Sequence, residues 1–252
     1  MIKSFRDHIN EIFTNNFIFE GIDVDKDNRI VYYNPNHQNL VDTSDNGFTT
    51  KEINGIKTYM LFKRKKDLLR KVSDGNPLVY ALKSKNGWSI PEKDKSLIFK
   101  IIDEIVLGIK KYDTIILVPS STPLITQFSK FIKHDRILDK CLFKRTKDEI
   151  LDDLPFMNFT DKEIELFNTS LDKMKGAYFE AKHFPKNKKL IEKFETNMFK
   201  IHGGFNKEIN NKSILVVDDV ISSGSTLSKC TEAILESYFP KNVEQLSLFS
   251  NV

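Results

Sequence analysis

Two adjacent aspartates, Asp218 and Asp219, stand just before a hydroxyl-rich loop in the segment VVDDVISSGST. Hydroxyl groups and the backbone N–H groups at the start of a helix bind phosphate. The pattern therefore predicts a ligand site in which the loop holds a phosphate group beside two carboxylates. A core strand followed by a capped helix is the simpler interpretation, because Asp and Ser are common capping residues. Capping needs only one of these residues, whereas the pattern extends over eleven.

The elements on either side explain how such a site would be positioned. An unbroken apolar run from Ile214 to Val217 predicts a parallel strand that is buried on both faces. The aspartates then fall at its carboxyl end, where open α/β sheets bind ligands. The loop leads into a segment with apolar residues at Leu227, Ala233, Ile234 and Leu235, which predicts an amphipathic helix. Its positive dipole end favours an anion.

A second strand and loop repeat this arrangement upstream. The apolar run from Thr114 to Val118 predicts a strand, and Ile125 to Ile132 predicts a helix. The turn between them carries three hydroxyl groups, on Ser120, Ser121 and Thr122. Pro-Ser-Ser-Thr-Pro is also a generic turn sequence, so this signal is informative only together with the first.

The segment VVDDVISSGST resembles the phosphoribosyl pyrophosphate (PRPP) signature of type I phosphoribosyltransferases. The resemblance implies an α/β fold with a central, mainly parallel sheet flanked by helices and an N-terminal hood lobe. It also implies that Asp218 and Asp219 hold the ribose hydroxyls and, as the catalytic acidic pair, bind Mg²⁺. The 5′-phosphate would then contact Ser222, Ser223, Gly224, Ser225 and Thr226. Ser120, Ser121 and Thr122 would correspond to the loop that grips pyrophosphate.

In the same family a flexible loop covers the active site between the second and third core strands. The segment from Cys141 to Lys147 lies where such a loop begins, so Lys144 and Arg145 are candidates for contacts with pyrophosphate. A solvated basic turn is the alternative. We expect the region from Lys144 to about Pro155 to be mobile without ligand and ordered with it.

The arrangement is most similar to ComF-type phosphoribosyltransferases over residues 113–250, and no resemblance extends over 1–90. It implies PRPP-dependent transfer of a phosphoribosyl group to a base or related acceptor, with Mg²⁺ as cofactor and pyrophosphate as product. Many ComF-type proteins carry an N-terminal zinc module, and the N-terminal region here has no cysteines. Enzymes that act on 6-oxopurines have an Asp where this chain has Ser222, which disfavours hypoxanthine and guanine as acceptors.

Two other functions compete with transfer. A regulator of the same fold would bind PRPP or a nucleotide without turnover. A nucleic-acid accessory protein is suggested by the basic run from Phe62 to Lys71, although Leu68, Leu69 and Val72 indicate one solvated face of a helix there.

Composition and pattern set the organisation of the chain. With 252 residues, 40% of them hydrophobic, and a net charge of +4, it is long enough for one core and an appended lobe. We expect a hood over 1–90 and a core over 91–252 with a flexible insertion over 141–200. Two cysteines, no signal-peptide pattern and no apolar run of the ~20 residues that span a membrane predict a cytoplasmic protein. Oligomeric state stays open.

Local signals predict individual elements. Helical spacing in the first residues, from Ile2 to Phe13, predicts a helix, and strands are expected over 17–24, 29–33 and 56–62. Asp23 to Asp27 fits a hairpin turn better than a calcium loop, because Asn28 and Asn34 replace the required Gly and acid. Pro91 predicts a helix start, and Thr160 with Glu163 predicts a capping box.

Overall fold

The computed structural model describes residues 22–34, 41–42, 48–64, 66–67, 72–73, 76–120, 123–154, 159–172, 198–221 and 224–250. The strands are β1 (Ile22–Asp25), β2 (Ile30–Tyr33), β3 (Val41–Asp42), β4 (Thr49–Ile53), β5 (Ile56–Arg64), β6 (Lys66–Asp67), β7 (Val72–Ser73), β8 (Tyr112–Leu117), β9 (His134–Leu138), β10 (Leu142–Lys144), β11 (Phe199–Ile201), β12 (Ser213–Ile221) and β13 (Asn242–Ser250). The helices are α1 (Asn76–Leu82), α2 (Glu92–Val106), α3 (Leu124–Ser129), α4 (Lys147–Asp153), α5 (Asp161–Asp172), α6 (Asn206–Ile209) and α7 (Ser225–Ser237).

A seven-stranded mixed sheet organises the molecule. Its strand order is β3-β5-β13-β12-β8-β9, and β4 pairs with β5 beside this path. The pairs β5/β13, β13/β12, β12/β8 and β8/β9 are parallel, whereas β3 and β4 run antiparallel to β5. The α/β class and the mainly parallel sheet are therefore confirmed.

Helices cover both faces of this sheet because its central strands are apolar on both sides. Successive residues of β12 alternate: Leu215 and Val217 pack in one core cluster, and Ile214 and Val216 pack in another. Residues of α3 belong to the first cluster and residues of α7 to the second, so these two helices lie on opposite faces. A third, smaller cluster unites Ile150 of α4, Phe167 of α5, Leu154 and Met198.

The chain leaves the two central strands β8 and β12 in opposite directions. From β8 it passes through α3 to β9 on one side, and from β12 through α7 to β13 on the other. Such a reversal between neighbouring strands is a topological switch point, and it opens a crevice at the carboxyl ends of the strands. Ligands of open α/β sheets bind in this crevice.

Most sequence-predicted elements are present. The strands before both hydroxyl-rich loops, the helix after Pro91 and the β1–β2 hairpin are confirmed. The capping box is confirmed as well, since Thr160 Oγ1 accepts from the Glu163 N–H at 3.3 Å and a Glu163 carboxylate oxygen accepts from the Thr160 N–H at 2.8 Å. The predicted helix over Ile2 to Phe13 lies outside the described residues. Within the described ranges, no helix combines the length and the apolar character that crossing a membrane requires.

One expectation is corrected. The basic run from Phe62 to Lys71 does not begin as a helix: β5 continues through Arg64, and Lys66–Asp67 pairs with Val72–Ser73. Leu68 and Leu69 lie outside the described residues. The strand forms because β5 pairs with β13 from Thr58 to Lys63. The region before residue 90 supplies β3, β4 and β5 to the seven-stranded sheet, and the division at residue 90 stays a prediction.

Candidate functional site

The acidic pair lies buried near the carboxyl end of β12. Asp218 is 7% and Asp219 8% exposed. The Asp219 backbone N–H donates to Asp218 Oδ1 at 2.8 Å, which orients the first carboxylate. Burial first and the adjacent charge of Asp219 second raise the pKa of Asp218 to about 7. Two carboxylates kept this close under the surface are unfavourable without a partner of opposite charge.

That partner is Lys83, which sequence reasoning did not identify. Its ammonium forms an ion pair with the Asp219 carboxylate, and the two side chains are 17% and 11% exposed. No motif or spacing marks Lys83 in the sequence, because its importance depends on how the end of α1 packs against β12. The site therefore contains a cation supplied by the N-terminal region of the chain.

The end of α1 fixes Lys83 in place. The Lys85 N–H donates to the Tyr80 carbonyl at 2.8 Å, and the Ser84 N–H donates to the Ala81 carbonyl at 3.1 Å. Ser84 is left-handed, with φ +51°. These bonds define a Schellman motif with Lys83 as the C-cap residue. The backbone that carries the ammonium is therefore hydrogen-bonded on both sides of it.

The β1–β2 hairpin braces the loop that follows. The Arg29 guanidinium donates to the Asn86 carbonyl at 3.0 Å, and the Ser89 N–H donates to the Arg29 carbonyl at 3.1 Å. The Val31 N–H donates in turn to the Ser89 carbonyl at 2.9 Å. These bonds are made at Asn86 and Ser89, after the end of α1. They therefore hold the connection between α1 and α2 and do not act on Lys83 directly.

The predicted phosphate loop leads into α7 beside the acidic pair. Gly224 precedes the helix with φ +82°, a conformation that favours glycine. A Cβ at this position would lie 3.0 Å from Ile53 Cγ2, so the β4–β5 turn closes over it. A small hollow is lined by Asp218, Gly224, Ser225 and Thr226 together with apolar neighbours. The structure thus brings these four predicted residues together; Ser222 and Ser223 lie outside the described residues.

The second predicted loop opens next to the first. The Val118 N–H donates to the Val217 carbonyl at 3.0 Å, which ties the ends of β8 and β12 together. Ser120 then lines a wider hollow of about 300 Å³, shared with Thr126, Asp139 and Lys140. Ser121 and Thr122 lie outside the described residues. Lys140 is a further cation that the sequence did not single out; it stands just after the carboxyl end of β9.

The two basic candidates of the expected cover have other positions. Arg145 is 2% exposed, and its guanidinium donates to the Glu149 carbonyl and the Asp153 carboxylate of α4. Lys144 is part of β10, paired with Phe199 of β11. Among the residues that the structure describes, neither lines either of the two hollows. Arg145 therefore contacts α4 in this structure, and its contact with pyrophosphate stays a prediction.

The expected mobile cover over 144 to about 155 has regular structure in its described part, residues 144–154, and its mobility stays a prediction. Helix α4 begins with a capping box in which Thr146 accepts from the Glu149 N–H and Glu149 accepts from the Thr146 N–H. Its apolar residues Ile150 and Leu154 pack against Phe167 and Met198. This cluster gives the region a small core of its own.

The Lys83 ammonium opposes direct binding of a magnesium ion by the acidic pair. Of the two predicted ligands, Asp219 is paired with the Lys83 ammonium, which repels a divalent cation. We therefore derive no chemical step through a metal bound by Asp218 and Asp219.

The chain matches no family model and no curated protein. Its functional interpretation therefore depends on the geometry of the crevice and on the residues that line it.

Proposed function

We propose that the protein is a phosphoribosyltransferase that uses PRPP, with the type I phosphoribosyltransferase fold. One observation carries the proposal. Asp218 of the buried acidic pair and the N-terminus of α7 line one small hollow at a topological switch point, near a second polar hollow at the ends of β8 and β9. PRPP needs hydrogen-bond acceptors for its ribose hydroxyls and an anion site for its 5′-phosphate. It also needs a neighbouring polar space for its pyrophosphate.

The ribose 5-phosphate half of the substrate would bind over the first hollow, whose volume of about 10 Å³ is too small to enclose it. The Asp218 and Asp219 carboxylates accept hydrogen bonds from the ribose hydroxyls. The backbone N–H groups at Gly224, Ser225 and Thr226 bind the 5′-phosphate, helped by the positive end of the α7 dipole. Binding energy from this remote phosphate then orients the anomeric carbon.

The second hollow would hold pyrophosphate. Ser120 offers a hydroxyl donor, and Lys140 at the rim offers the positive charge that was expected from Arg145. Magnesium belongs to this half of the site as the counter-ion of the substrate's own pyrophosphate. The bond from C1 to the pyrophosphate oxygen breaks, its electron pair leaves with pyrophosphate, and a lone pair of the acceptor forms the new bond with inversion. No residue of the chain acts as a covalent nucleophile.

Calorimetric titration with PRPP and magnesium, followed by a screen of bases for release of pyrophosphate, tests this function. We expect wild type to bind PRPP and Asp218→Asn/Asp219→Asn to lose binding by at least about tenfold, or about 1.4 kcal/mol. The matched control is Asp135→Asn, on the exposed side chain paired with Lys111. Equal affinity in the double variant and wild type would remove the proposed role of the pair.

A regulator that binds PRPP without turnover is the second candidate. It is favoured by one observation: Arg145 is directed to Asp153 and not to either hollow. Tight PRPP binding with no release of pyrophosphate in the presence of any base would establish it. The nucleic-acid alternative predicts instead a steep fall in affinity for nucleic acid as salt rises, together with no affinity for PRPP. For each candidate we propose a cytoplasmic location.

A further inference from the structure

The ion pair between Lys83 and Asp219 lies within the proposed ribose site. Most ion pairs on protein surfaces contribute little, because solvent screens both partners. Here the two side chains are only 17% and 11% exposed, and the next residue, Asp218, is a second buried carboxylate. Placing an ammonium there offsets charge repulsion that the fold would otherwise have to accommodate.

We propose that Lys83 is the resident cation of the acidic pair, and that the pair recognises the ribose diol without a magnesium ion. This inference rests on the proposed function. An ammonium has three donors, of which the ion pair with Asp219 uses part. Lys83 therefore neutralises the carboxylate and has donor capacity for an oxygen of the sugar phosphate. A metal at the same place would have to displace it or be repelled by it.

The backbone supports this role in advance of ligand binding. Lys83 is the C-cap residue of α1, fixed by the Schellman bonds to Tyr80 and Ala81. A positive charge at a helix C-terminus is also favourable in itself. The fold therefore holds Lys83 in position before ligand binds. Ligand binding then does not have to order this side chain, which would lower the affinity.

Ribose 5-phosphate is the appropriate probe because it carries the diol and the 5′-phosphate but no pyrophosphate that chelates magnesium. We expect calorimetry to give wild type the same dissociation constant, within about twofold, in EDTA and in millimolar magnesium. Lys83→Met, which keeps an unbranched apolar side chain but removes the ammonium, should weaken binding in EDTA by about tenfold or more, and magnesium should restore part of the loss. Lys83→Arg should retain most of the wild-type affinity in EDTA.

Lys85→Met is the matched control, two residues away on an exposed side chain whose backbone completes the same motif. It should bind as wild type does. Thermal denaturation of each variant reports whether it folds, and the wild-type comparison in EDTA and magnesium needs no variant.

Two results would overturn the inference alone: wild type that binds ribose 5-phosphate only with magnesium, or Lys83→Met that binds it as tightly as wild type in EDTA. Failure of wild type to bind either ribose 5-phosphate or PRPP under any condition would overturn the proposed function together with it. The two failures are therefore distinguishable.

Discussion

At the scale of single residues, the sequence identified residues whose role follows from their type and spacing. It missed residues whose role depends on the partner that they contact in the fold. Asp218, Asp219 and Gly224 were recognised because their chemistry and spacing are visible in the chain itself. Lys83 was not identified, and the contacts of Arg145 with α4 were not expected, because a lysine at a helix end and an arginine after a short strand have no distinctive local pattern. Their contacts with Asp219 and Asp153 exist only once the chain is folded.

Gly224 is constrained twice, by its positive φ and by the nearness of Ile53. Gly224→Ala should lower the free energy of unfolding by about 1–2 kcal/mol, measured by urea denaturation. Gly55→Ala is the matched control: Gly55 has φ +77°, but no atom lies within 4 Å of a Cβ built there. It should show the backbone cost alone. We expect Gly224→Ala to cost more stability than Gly55→Ala because of the contact with Ile53. If adding Ile53→Ala to Gly224→Ala recovers none of that extra loss, the contact is not its cause.

Asp218 makes stability depend on pH in a direction opposite to that of an ordinary carboxylate. Its pKa of about 7 in the fold exceeds the usual 3.8, so its contribution to stability is present below pH ~4 and is lost as pH rises through 7. Asp218→Asn removes this dependence. We expect the variant to be more stable than wild type at pH 8, by at least about 1.4 kcal/mol, with a smaller gap at pH 4. Urea denaturation at both values measures it; a gap that does not widen with pH would contradict the assignment.

At the scale of elements, the polar region after β9 contains two helices that begin in the same way. Thr160 and Glu163 were recognised as a capping box, and they begin α5. Thr146 and Glu149 have the same spacing and begin α4, but this signal was not recognised in the sequence. The pairing of β10 with β11 could not have been predicted, because it joins segments separated by both helices.

Arg145 should therefore act on the stability of this region. Arg145→Ala removes a buried guanidinium that bonds to Glu149 and Asp153, and we expect a loss of about 2 kcal/mol in the free energy of unfolding. Lys144→Ala, at the less buried neighbouring position, is the control and should change stability by less than about 0.5 kcal/mol.

Hydrogen exchange gives the complementary test for α4. Amides of Ile150 and its neighbours should be protected before any ligand is added, because the helix is capped and packs against Phe167 and Met198. Protection that appears only with PRPP and magnesium would restore the prediction of a mobile cover.

At the scale of the whole molecule, apolar runs predicted strands but not their order in the sheet. Thr58 of β5 lies beside Gln245 of β13, with 3.0 Å between Thr58 Oγ1 and Gln245 Oε1 across 187 residues of sequence. Glu244 strengthens the contact between β5 and β13, since its carboxylate accepts hydrogen bonds from Tyr59, Tyr112 and Lys110. Such pairing depends on three-dimensional packing, which local periodicity does not encode.

Removing residues 1–90 should therefore damage the sheet as well as the site. The fragment 91–252 lacks β5, leaves β13 with an unpaired apolar edge and loses Lys83. We expect circular dichroism to show no cooperative thermal transition for the fragment, in contrast to the full chain. A fragment that melts cooperatively and binds PRPP would show that the sheet is complete without β5.

The distance along the chain between β5 and β13 also has a consequence during protein synthesis. As ribosomes add residues one at a time, β5 emerges long before the strand that covers its inner edge. Until then its backbone groups face water or neighbouring nascent chains, and an exposed strand edge promotes association between chains. Association between nascent chains through this edge of β5 is therefore a hazard that lasts until β13 has been synthesised.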